Sequence, residues 1–249
     1  MSKKIAFVTG GTGGLGTPIC RSLVDQGFTV VAGYNSGGKH EKAQAWQEEQ
    51  RKDGYEIMIA YGDVTNAESC VKCIANVEEQ TGGTIDVLVN NAGITRDGQF
   101  KKMSWEQWDE VMSANLDSMF HMTRVVINGM LDKGWGRVIN ISSVNAQKGQ
   151  FGQCNYSAAK AGIHGFTKAL AQEVARKGVT VNTVSPGYIK TAMVAAIAQD
   201  IQDKITATIP VGRFGTPEEI GRLVAFVADE QSGYITGADL SMNGGLHMS

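Results

Sequence analysis

The sequence predicts an α/β fold built on one doubly wound parallel sheet of about seven strands, with helices on both faces. Short apolar runs alternate with longer helical patterns along almost all of the 249 residues, and this alternation is typical of a parallel sheet whose strands are joined by helices. The first apolar run enters a glycine-rich turn that leads directly into a helical pattern. The chain has only four prolines, and no repeat or low-complexity stretch marks a linker. We therefore expect a single domain over residues 1–249.

Seven apolar runs have the length of strands, and together they predict one continuous sheet. Hydrophobic residues make up 42% of the chain, which is enough to fill the core of such a domain. In chain order the predicted strands are Ile5 to Thr9, Thr29 to Gly33, Glu56 to Tyr61, Val87 to Asn90, Arg137 to Ser142, Thr180 to Ser185, and a short one at Leu240.

The stretches between the strands carry helical patterns, as in the first, where apolar residues recur at Leu15, Ile19 and Leu23. The least regular stretch, residues 188–217, follows the sixth strand and is expected to form a substrate lid with short helices between Met193 and Ile209. The predicted helices are Leu15 to Gln26, Lys39 to Asp53, Asn66 to Gln80, Ser104 to Leu131, Ser157 to Lys177 and Pro217 to Ala228.

The composition favours a small-molecule partner over a nucleic acid or a membrane. The 23 basic and 25 acidic residues give a net charge of -2, so nothing attracts the chain to a polyanion. The amino terminus lacks the pattern of an export signal, and no window approaches the roughly 18 apolar residues of a spanning helix. We expect a soluble cytoplasmic protein with reduced cysteines, in which Cys70 and Cys73 are structural and bind no metal.

The turn after the first strand, Thr9 to Gly16, is a candidate dinucleotide site. Glycines let the backbone turn tightly and approach a pyrophosphate, which the free N–H groups at the start of the next helix stabilise. Glycines alone also occur in ordinary tight turns, but the strand–turn–helix order favours the Rossmann-type site. The candidate residues are Gly10, Gly13, Gly14, Leu15 and Gly16.

Gly10, Gly14 and Gly16 give the spacing T-G-x-x-x-G-x-G, which resembles that of the short-chain dehydrogenase/reductase family. The resemblance implies that Asp63 and Val64, after the third strand, lie at the adenine. It also implies that the stretch after the fourth strand supports the sheet and lies against the cofactor, and that the stretch after the sixth strand holds the carboxamide. The matching residues are Asn91, Ala92 and Gly93 for the former, and Pro186, Gly187, Ile189 and Thr191 for the latter.

The end of the second strand indicates the choice of cofactor. An acidic side chain there would bind a ribose 2'-hydroxyl and repel a 2'-phosphate, but no acid occurs before Glu41. Asn35 and Ser36 offer hydrogen bonds, and Lys39 offers a positive charge to a phosphate. The pattern favours NADPH. NADH stays an alternative, because many NADP-dependent relatives carry a basic residue at the position that Gly13 occupies.

A tyrosine and a lysine at helical i, i+4 spacing, Tyr156 and Lys160, are the candidate catalytic pair. A nearby ammonium favours the phenolate and so lowers the pKa of a phenol from its usual value near 10. Ser143 lies thirteen residues before Tyr156, at the end of the fifth strand, where its hydroxyl would face the cofactor crevice. Ser142 is the rival serine, but strand alternation and the spacing to Tyr156 favour Ser143.

The family resemblance implies a role for each of these groups in reducing a carbonyl with NAD(P)H. Ser143 would hold the carbonyl oxygen, and Tyr156 would protonate it. Lys160 would lower the tyrosine pKa and bind the nicotinamide ribose, while Asn115 would hold a water of the proton relay. We therefore expect an oxidoreductase, whose surfaces at Ser104 to Leu131 and Ser157 to Lys177 resemble those through which family members form homotetramers.

Several stretches resemble one bacterial group of the family, the acetoacetyl-CoA reductases of polyhydroxybutyrate synthesis. They are Asn91 to Asp97, Gly134 to Arg137, Ser143 to Gln153 and Asn243 to Met248. The resemblance implies an acyl-CoA substrate that is reduced to (R)-3-hydroxybutanoyl-CoA. The residues that it assigns to the acyl pocket are Asp97, Gln150, Phe151, Gln153 and Tyr188.

Two other functions stay open. A 3-oxoacyl-[acyl-carrier-protein] reductase would share the catalytic groups but would need a basic rim for its acidic carrier. The candidates for such a rim, Arg96, Lys101, Lys102 and Lys148, do not decide the matter. A sensor that binds NADP without turnover is less favoured, because Tyr156 and Lys160 are both present.

Overall fold

The computed structural model describes residues 3–35, 37–191, 194 and 198–248. Its centre is a parallel sheet of seven strands in the order β3-β2-β1-β4-β5-β6-β7, which confirms the predicted fold class. The strands are β1 (Ile5–Val8), β2 (Thr29–Tyr34), β3 (Met58–Tyr61), β4 (Val87–Asn90), β5 (Gly136–Ile141), β6 (Val179–Pro186) and β7 (Asp239–Met242).

Helices cover both faces of the sheet. Those described are α1 (Gly16–Asp25), α2 (His40–Lys52), α3 (Ala67–Thr81), α4 (Trp105–Met112), α5 (Ser118–Lys133), α6 (Val144–Lys148), α7 (Cys154–Val174), α8 (Gln199–Thr206) and α9 (Pro217–Ala228). Short 3₁₀ turns lie at Phe100–Lys102, Ala175–Lys177 and Glu230–Ser232, and a π-helical segment at Ser113–Asp117. Within the described ranges, no helix has both the length and the apolar character to cross a bilayer.

Two apolar clusters, one on each face, hold the layers together. One packs α3, α5 and α7 against the sheet around Phe7, Leu88 and Met122. The other packs α1 and α9 against the opposite face around Ile19 and Ile220. Because consecutive strand residues point to opposite faces, the central strands β1 and β4 contribute apolar side chains to both clusters.

The predicted long helix from Ser104 to Leu131 is in fact two α-helices, α4 and α5, with the π-helical segment between them. The apolar periodicity continues from α4 into α5. The sequence pattern therefore does not reveal the wider turn of the π-helical segment between them. The helix predicted from Ser157 begins earlier, at Cys154. Helix α6 was not predicted, because five residues are too few to display a helical period.

The chain order determines where the two halves of the sheet separate. From β1 the strands run outward through β2 to β3, and then β4 starts on the other side of β1. The connections that leave β1 and β4 therefore go to opposite sides, and a crevice opens at the carboxyl ends of these two strands. The fold directs any ligand site to this edge.

At the opposite edge, buried Asp86 links β1 to the end of α5. Its carboxylate accepts from the Ile5 N–H at 2.7 Å and from Lys133 Nζ at 2.7 Å. The Asp86 side chain is only 10% exposed, whereas that of Glu68, which pairs with Lys72 on α3, is 77% exposed. The two ion pairs therefore differ chiefly in burial.

We expect Asp86→Ala to lower the free energy of unfolding by about 2 kcal/mol, because it leaves the buried Ile5 N–H without its acceptor and removes the ion pair with Lys133. Denaturant unfolding at neutral pH measures the change. Glu68→Ala is the matched control and should leave the midpoint unchanged, since water replaces an exposed pair. Equal losses in the two variants would contradict this account.

Candidate active site

The glycine loop, residues 9–16, lies at the carboxyl end of β1, beside the crevice. Gly10 has a positive φ of 62°, and its carbonyl accepts from the Gly13 N–H at 3.1 Å. A Cβ at Gly16 would collide with that same carbonyl, so only glycine lets the turn close there. Helix α1 starts at Gly16 without a capping side chain and without an acidic residue in its first turn. Its free end therefore suits an anion.

The stretch after β4 holds the glycine loop in place. The Asn91 side-chain amide donates to the carbonyls of Thr9, at 2.9 Å, and Gly10, at 3.1 Å. The Thr9 hydroxyl in turn accepts from the backbone N–H groups of Asn91 and Ala92. Four hydrogen bonds thus join the two connections on either side of the crevice. The sequence analysis missed Thr9, although its position directly before the first glycine is a usable signal.

The residues predicted to hold the carboxamide end or follow β6; they are Pro186, Gly187, Ile189 and Thr191. Ile189 forms an isolated bridge with Gly215, and this bridge fixes the path of the segment. A Cβ at Gly14 would lie 3.4 Å from the Thr191 methyl group. The glycine loop at Gly14 and the segment after β6 therefore lie next to each other, as the predicted cofactor site requires.

Asp63 and Val64 follow β3, at the same edge of the sheet. One carboxylate oxygen of Asp63 accepts from the N–H and the hydroxyl of Thr65, at 3.0 and 2.7 Å. The Val64 carbonyl accepts from His121 Nδ1 at 3.1 Å. These bonds hold the turn rigid, as the predicted adenine contact requires.

Asn35 and Lys39 lie in the exposed turn between β2 and α2. The Asn35 side-chain oxygen accepts from the Gly37 N–H at 3.2 Å, and Lys39 is the residue that precedes α2. Ser36, the third residue predicted for this position, lies outside the described residues. The turn thus presents an amide and an ammonium to the solvent at the end of β2.

Helix α7 carries both members of the predicted catalytic pair in its first two turns. Tyr156 is the third residue of this helix, which begins at Cys154, and its N–H donates to the Asn155 side chain. Lys160 is buried, and its Nζ donates to the Ile141 carbonyl at 2.7 Å. Nζ lies 5.7 Å from the centre of the Tyr156 ring. The i, i+4 spacing therefore brings the two groups together as predicted.

The two serines at the end of β5 have different partners. The Ser142 hydroxyl is buried and lies 2.9 Å from the Lys160 carbonyl, to which it can donate. The Ser143 hydroxyl accepts from the Asn145 N–H at 3.1 Å, at the start of α6, and it lies near enough to the Tyr156 phenol to lower the pKa of that phenol. The structure therefore pairs Ser143, and not Ser142, with the tyrosine.

Burial dominates the ionisation of the catalytic pair. It raises the pKa of Tyr156, while the hydrogen bond from Ser143 lowers it and the charge of Asp97 raises it further. Burial lowers the pKa of Lys160 from 10.5 to about 7. Lys160 Nζ, to which the family resemblance assigns the lowering of the Tyr156 pKa, donates to the Ile141 carbonyl in this structure, and that role stays a prediction.

Asn115 lies inside the π-helical segment and is completely buried. Its amide donates to the carbonyls of Val111, at 2.8 Å, and Ile94, at 2.9 Å. Its side-chain oxygen has no hydrogen-bond partner and lies where a Cβ at Gly93 would collide with it. A buried acceptor without a donor is costly, so this oxygen is suited to hold a water.

The structure joins two of the five residues predicted for the acyl pocket. The Gln153 amide donates to both carboxylate oxygens of Asp97, each at 3.0 Å, and its oxygen accepts from the Asn145 side chain at 2.9 Å. Gln150 instead accepts from Lys148 Nζ at 2.9 Å. The sequence analysis did not single out Asn145, which connects this network to the segment after Ser143.

Phe151 and Tyr188 lie apart from that hydrogen-bonded network. Phe151 is 82% exposed. Tyr188, on the segment after β6, packs edge to face against Phe214 with the ring centres 6.4 Å apart, and burial raises its pKa.

Comparisons with known proteins agree with this geometry. A family model described as "Enoyl-(Acyl carrier protein) reductase" matches residues 10–247. Acetoacetyl-CoA reductase of Cupriavidus necator is 57% identical over 248 residues, covering 100% of both chains. Nodulation protein G of Azospirillum brasilense is 53% identical over 247 residues, which cover 99% of both chains. The 3-oxoacyl-[acyl-carrier-protein] reductase of Vibrio harveyi is 42% identical over 245 residues, which cover 98% of both chains.

The family match over residues 10–247 includes the glycine loop, the end of β5 and the start of α7, which the structure brings together at one edge of the sheet. The chain therefore belongs to the short-chain dehydrogenase/reductase family, whose reductases use a nicotinamide cofactor.

Proposed function

We propose that this protein is an NADPH-dependent acetoacetyl-CoA reductase that forms (R)-3-hydroxybutanoyl-CoA. The observation that carries the proposal is the 57% identity, over both whole chains, to acetoacetyl-CoA reductase of Cupriavidus necator. Similarity to proteins of that name extends to further bacteria at 48% to 51% identity. The reductase that acts on a carrier-protein thioester is more distant, at 42%.

The cofactor supplies a hydride to the carbonyl carbon, and the chain supplies everything else. In this proposal the Ser143 hydroxyl holds the carbonyl oxygen, because it lies at the end of β5 and near enough to the Tyr156 phenol to lower its pKa. Tyr156 then donates its proton to that oxygen as negative charge develops there. A phenol whose pKa is raised stays protonated at neutral pH, as a proton donor must.

Lys160 and Asn115 return the proton to Tyr156 in this proposal. A lysine with a pKa near 7 exchanges protons readily at neutral pH, and its Nζ lies next to the phenol ring. The unpartnered Asn115 oxygen offers a site for a water on the way to solvent. We infer that the ammonium also donates to the nicotinamide ribose once the cofactor is bound.

The preference for NADPH rests on the turn after β2. Lys39 and Asn35 are exposed there, and the nearest acid of that turn, Glu41, is on the first turn of α2. A 2'-phosphate would gain a charge-assisted hydrogen bond from Lys39 and would meet no carboxylate at the strand end.

Two of the four basic residues considered for carrier docking already have partners within this chain. Arg96, one of the basic residues considered for carrier docking, pairs with Glu110 at 2.6 Å. Lys148 donates to Gln150 and to the Gly149 carbonyl. The lid over residues 188–217, the homotetramer, the cytoplasmic location and the place of the reaction in polyhydroxyalkanoate synthesis stay predictions.

The first test compares wild type with Tyr156→Phe in an assay that follows nicotinamide absorbance with acetoacetyl-CoA and NADPH. We expect turnover by wild type and a kcat lower by about 10²- to 10⁴-fold in the variant, which lacks the proton donor. Tyr234→Phe is the matched control, because Tyr234 is fully exposed. Faster turnover of an acetoacetyl carrier-protein thioester would instead identify the alternative reductase, and binding without turnover would identify a sensor.

The second test addresses Lys39 and the choice of cofactor. Lys39→Glu should raise the KM for NADPH by about tenfold or more while leaving the KM for NADH within about twofold, since only the 2'-phosphate meets the new charge. Lys42→Glu, which makes the same change of charge further along α2, is the matched control. Similar KM values in the two variants would show that Lys39 does not contact the phosphate.

The third test uses the buried ammonium of Lys160. Its pKa is about 7 in the folded protein and near 10.5 when unfolded, so between these values the unfolded chain binds more protons and stability rises with pH. Lys160→Met removes this slope. The free energy of unfolding of wild type, relative to the variant, should therefore rise by a few kcal/mol from pH 6 to pH 10. If the free energies of unfolding of wild type and Lys160→Met changed with pH in parallel, the pKa of Lys160 would not be lowered by burial.

A further inference from the structure

A second set of hydrogen-bonding groups lies directly behind the catalytic side chains. His164 is on α7, one turn after Lys160. Its Nε2 lies 2.9 Å from the Ser142 hydroxyl, and its Nδ1 lies 3.5 Å from an oxygen of Asp239 on β7. The Ser142 hydroxyl is also 2.9 Å from the Lys160 carbonyl. These contacts join α7 to the ends of two strands.

Asp239 is held in place from two further directions. Its carboxylate accepts from the Ser185 hydroxyl at 2.6 Å, on β6, and from the Gln147 amide at 2.7 Å, on α6. Because α6 begins immediately after Ser143, the network contacts the chain on both sides of that serine. A shift of Asp239 or of the His164 ring would therefore displace Ser143.

The number of protons in the network limits its arrangements. The Ser142 hydroxyl has a single hydrogen, so it donates either to the Lys160 carbonyl or to His164 Nε2. If it donates to Lys160, then Nε2 must carry a hydrogen and donate to Ser142. If Ser142 instead donates to Nε2, the neutral ring carries its hydrogen on Nδ1, which lies 3.5 Å from Asp239, and the lowered pKa of His164 favours this neutral ring.

Charges around the ring act in opposite directions on this proton. Burial lowers the pKa of His164, Lys168 on the same helix lowers it further, and Asp239 raises it. The other partners are neutral. Ser142, after β5, contacts the His164 ring, and Ser185 on β6 and Gln147 on α6 donate to Asp239. Asp239 is thus the one acid that, among the described contacts of the ring, favours the charged form.

We propose that His164 and Asp239 are positioning residues, which hold the end of β5 against α7 so that Ser143 stays within reach of Tyr156. The proposal rests on the carbonyl reduction proposed above, in which Ser143 and Tyr156 contact the same oxygen. His164 does not contact substrate or cofactor. It acts through Ser142, and Asp239 acts through the imidazole and through α6.

Two near-isosteric variants separate the contacts of the ring. His164→Gln keeps an amide near the position of Nε2 and can still donate to Ser142, whereas His164→Asn keeps a polar group only near Nδ1. We expect kcat to fall about 10- to 100-fold in His164→Asn and His164→Leu, because small misplacements of reacting groups cost that much. His164→Gln should recover most of the loss. The cofactor KM should stay within about twofold in all three variants.

Gln172→Leu is the matched control, since Gln172 lies on α7 and bonds only to the helix itself, at the Lys168 carbonyl. Unchanged kcat in His164→Leu, or equal kcat in the Gln and Asn variants, would overturn the proposal. Thermal unfolding of each variant identifies those that lose activity because they do not fold. The Gln and Asn pair decides the question if His164→Leu is unstable.

A measurement without turnover separates this proposal from the proposed reaction. NMR titration of the His164 ring in wild type and in Asp239→Asn should show a lower pKa in the variant, which lacks the neighbouring anion. An unchanged pKa would overturn the pairing of His164 with Asp239. If wild type fails to reduce acetoacetyl-CoA but the NMR shift is present, the proposed substrate is wrong and the positioning network stands.

Discussion

The rest of the site depends on the contact between the connections that leave β1 and β4. These parallel strands are neighbours although many residues separate them in the chain. Thr9 and Asn91 join their ends through side-chain bonds to backbone. This clamp holds the glycine loop so close that a Cβ at Gly10 would be 3.2 Å from the Ala92 backbone. The crevice has a fixed width as a result, and α1 presents its free end to it.

Helix α7 converts that crevice into a reactive site. Three of its residues at successive turns, Tyr156, Lys160 and His164, face the end of β5. The two serines there have different partners, because neighbouring residues of an extended segment point to opposite sides. The Ser142 hydroxyl donates to the Lys160 carbonyl on the helix, whereas Ser143 lies near the Tyr156 phenol and lowers its pKa. Residues four apart on α7 therefore face the residues at the end of β5.

The same burial that builds this arrangement sets its chemistry. Removal from water raises the pKa of the Tyr156 phenol and lowers that of the Lys160 ammonium. Both groups therefore favour their neutral forms. A cofactor and substrate that exclude the remaining water would act on groups already prepared for proton transfer. The unpartnered oxygen of Asn115 is the part of the site that still needs a partner.

The sequence by itself determined the seven strands, the order of the major helices and the catalytic pair, because apolar periodicity and an i, i+4 spacing are local properties. Only the tertiary structure decided that a π-helical turn splits the long predicted helix at Asn115, that Gln153 binds Asp97, and that burial raises the pKa of Tyr156. It also brought His164 within reach of Asp239, 75 residues away. Such contacts follow from how strands and helices pack, and no local pattern records them.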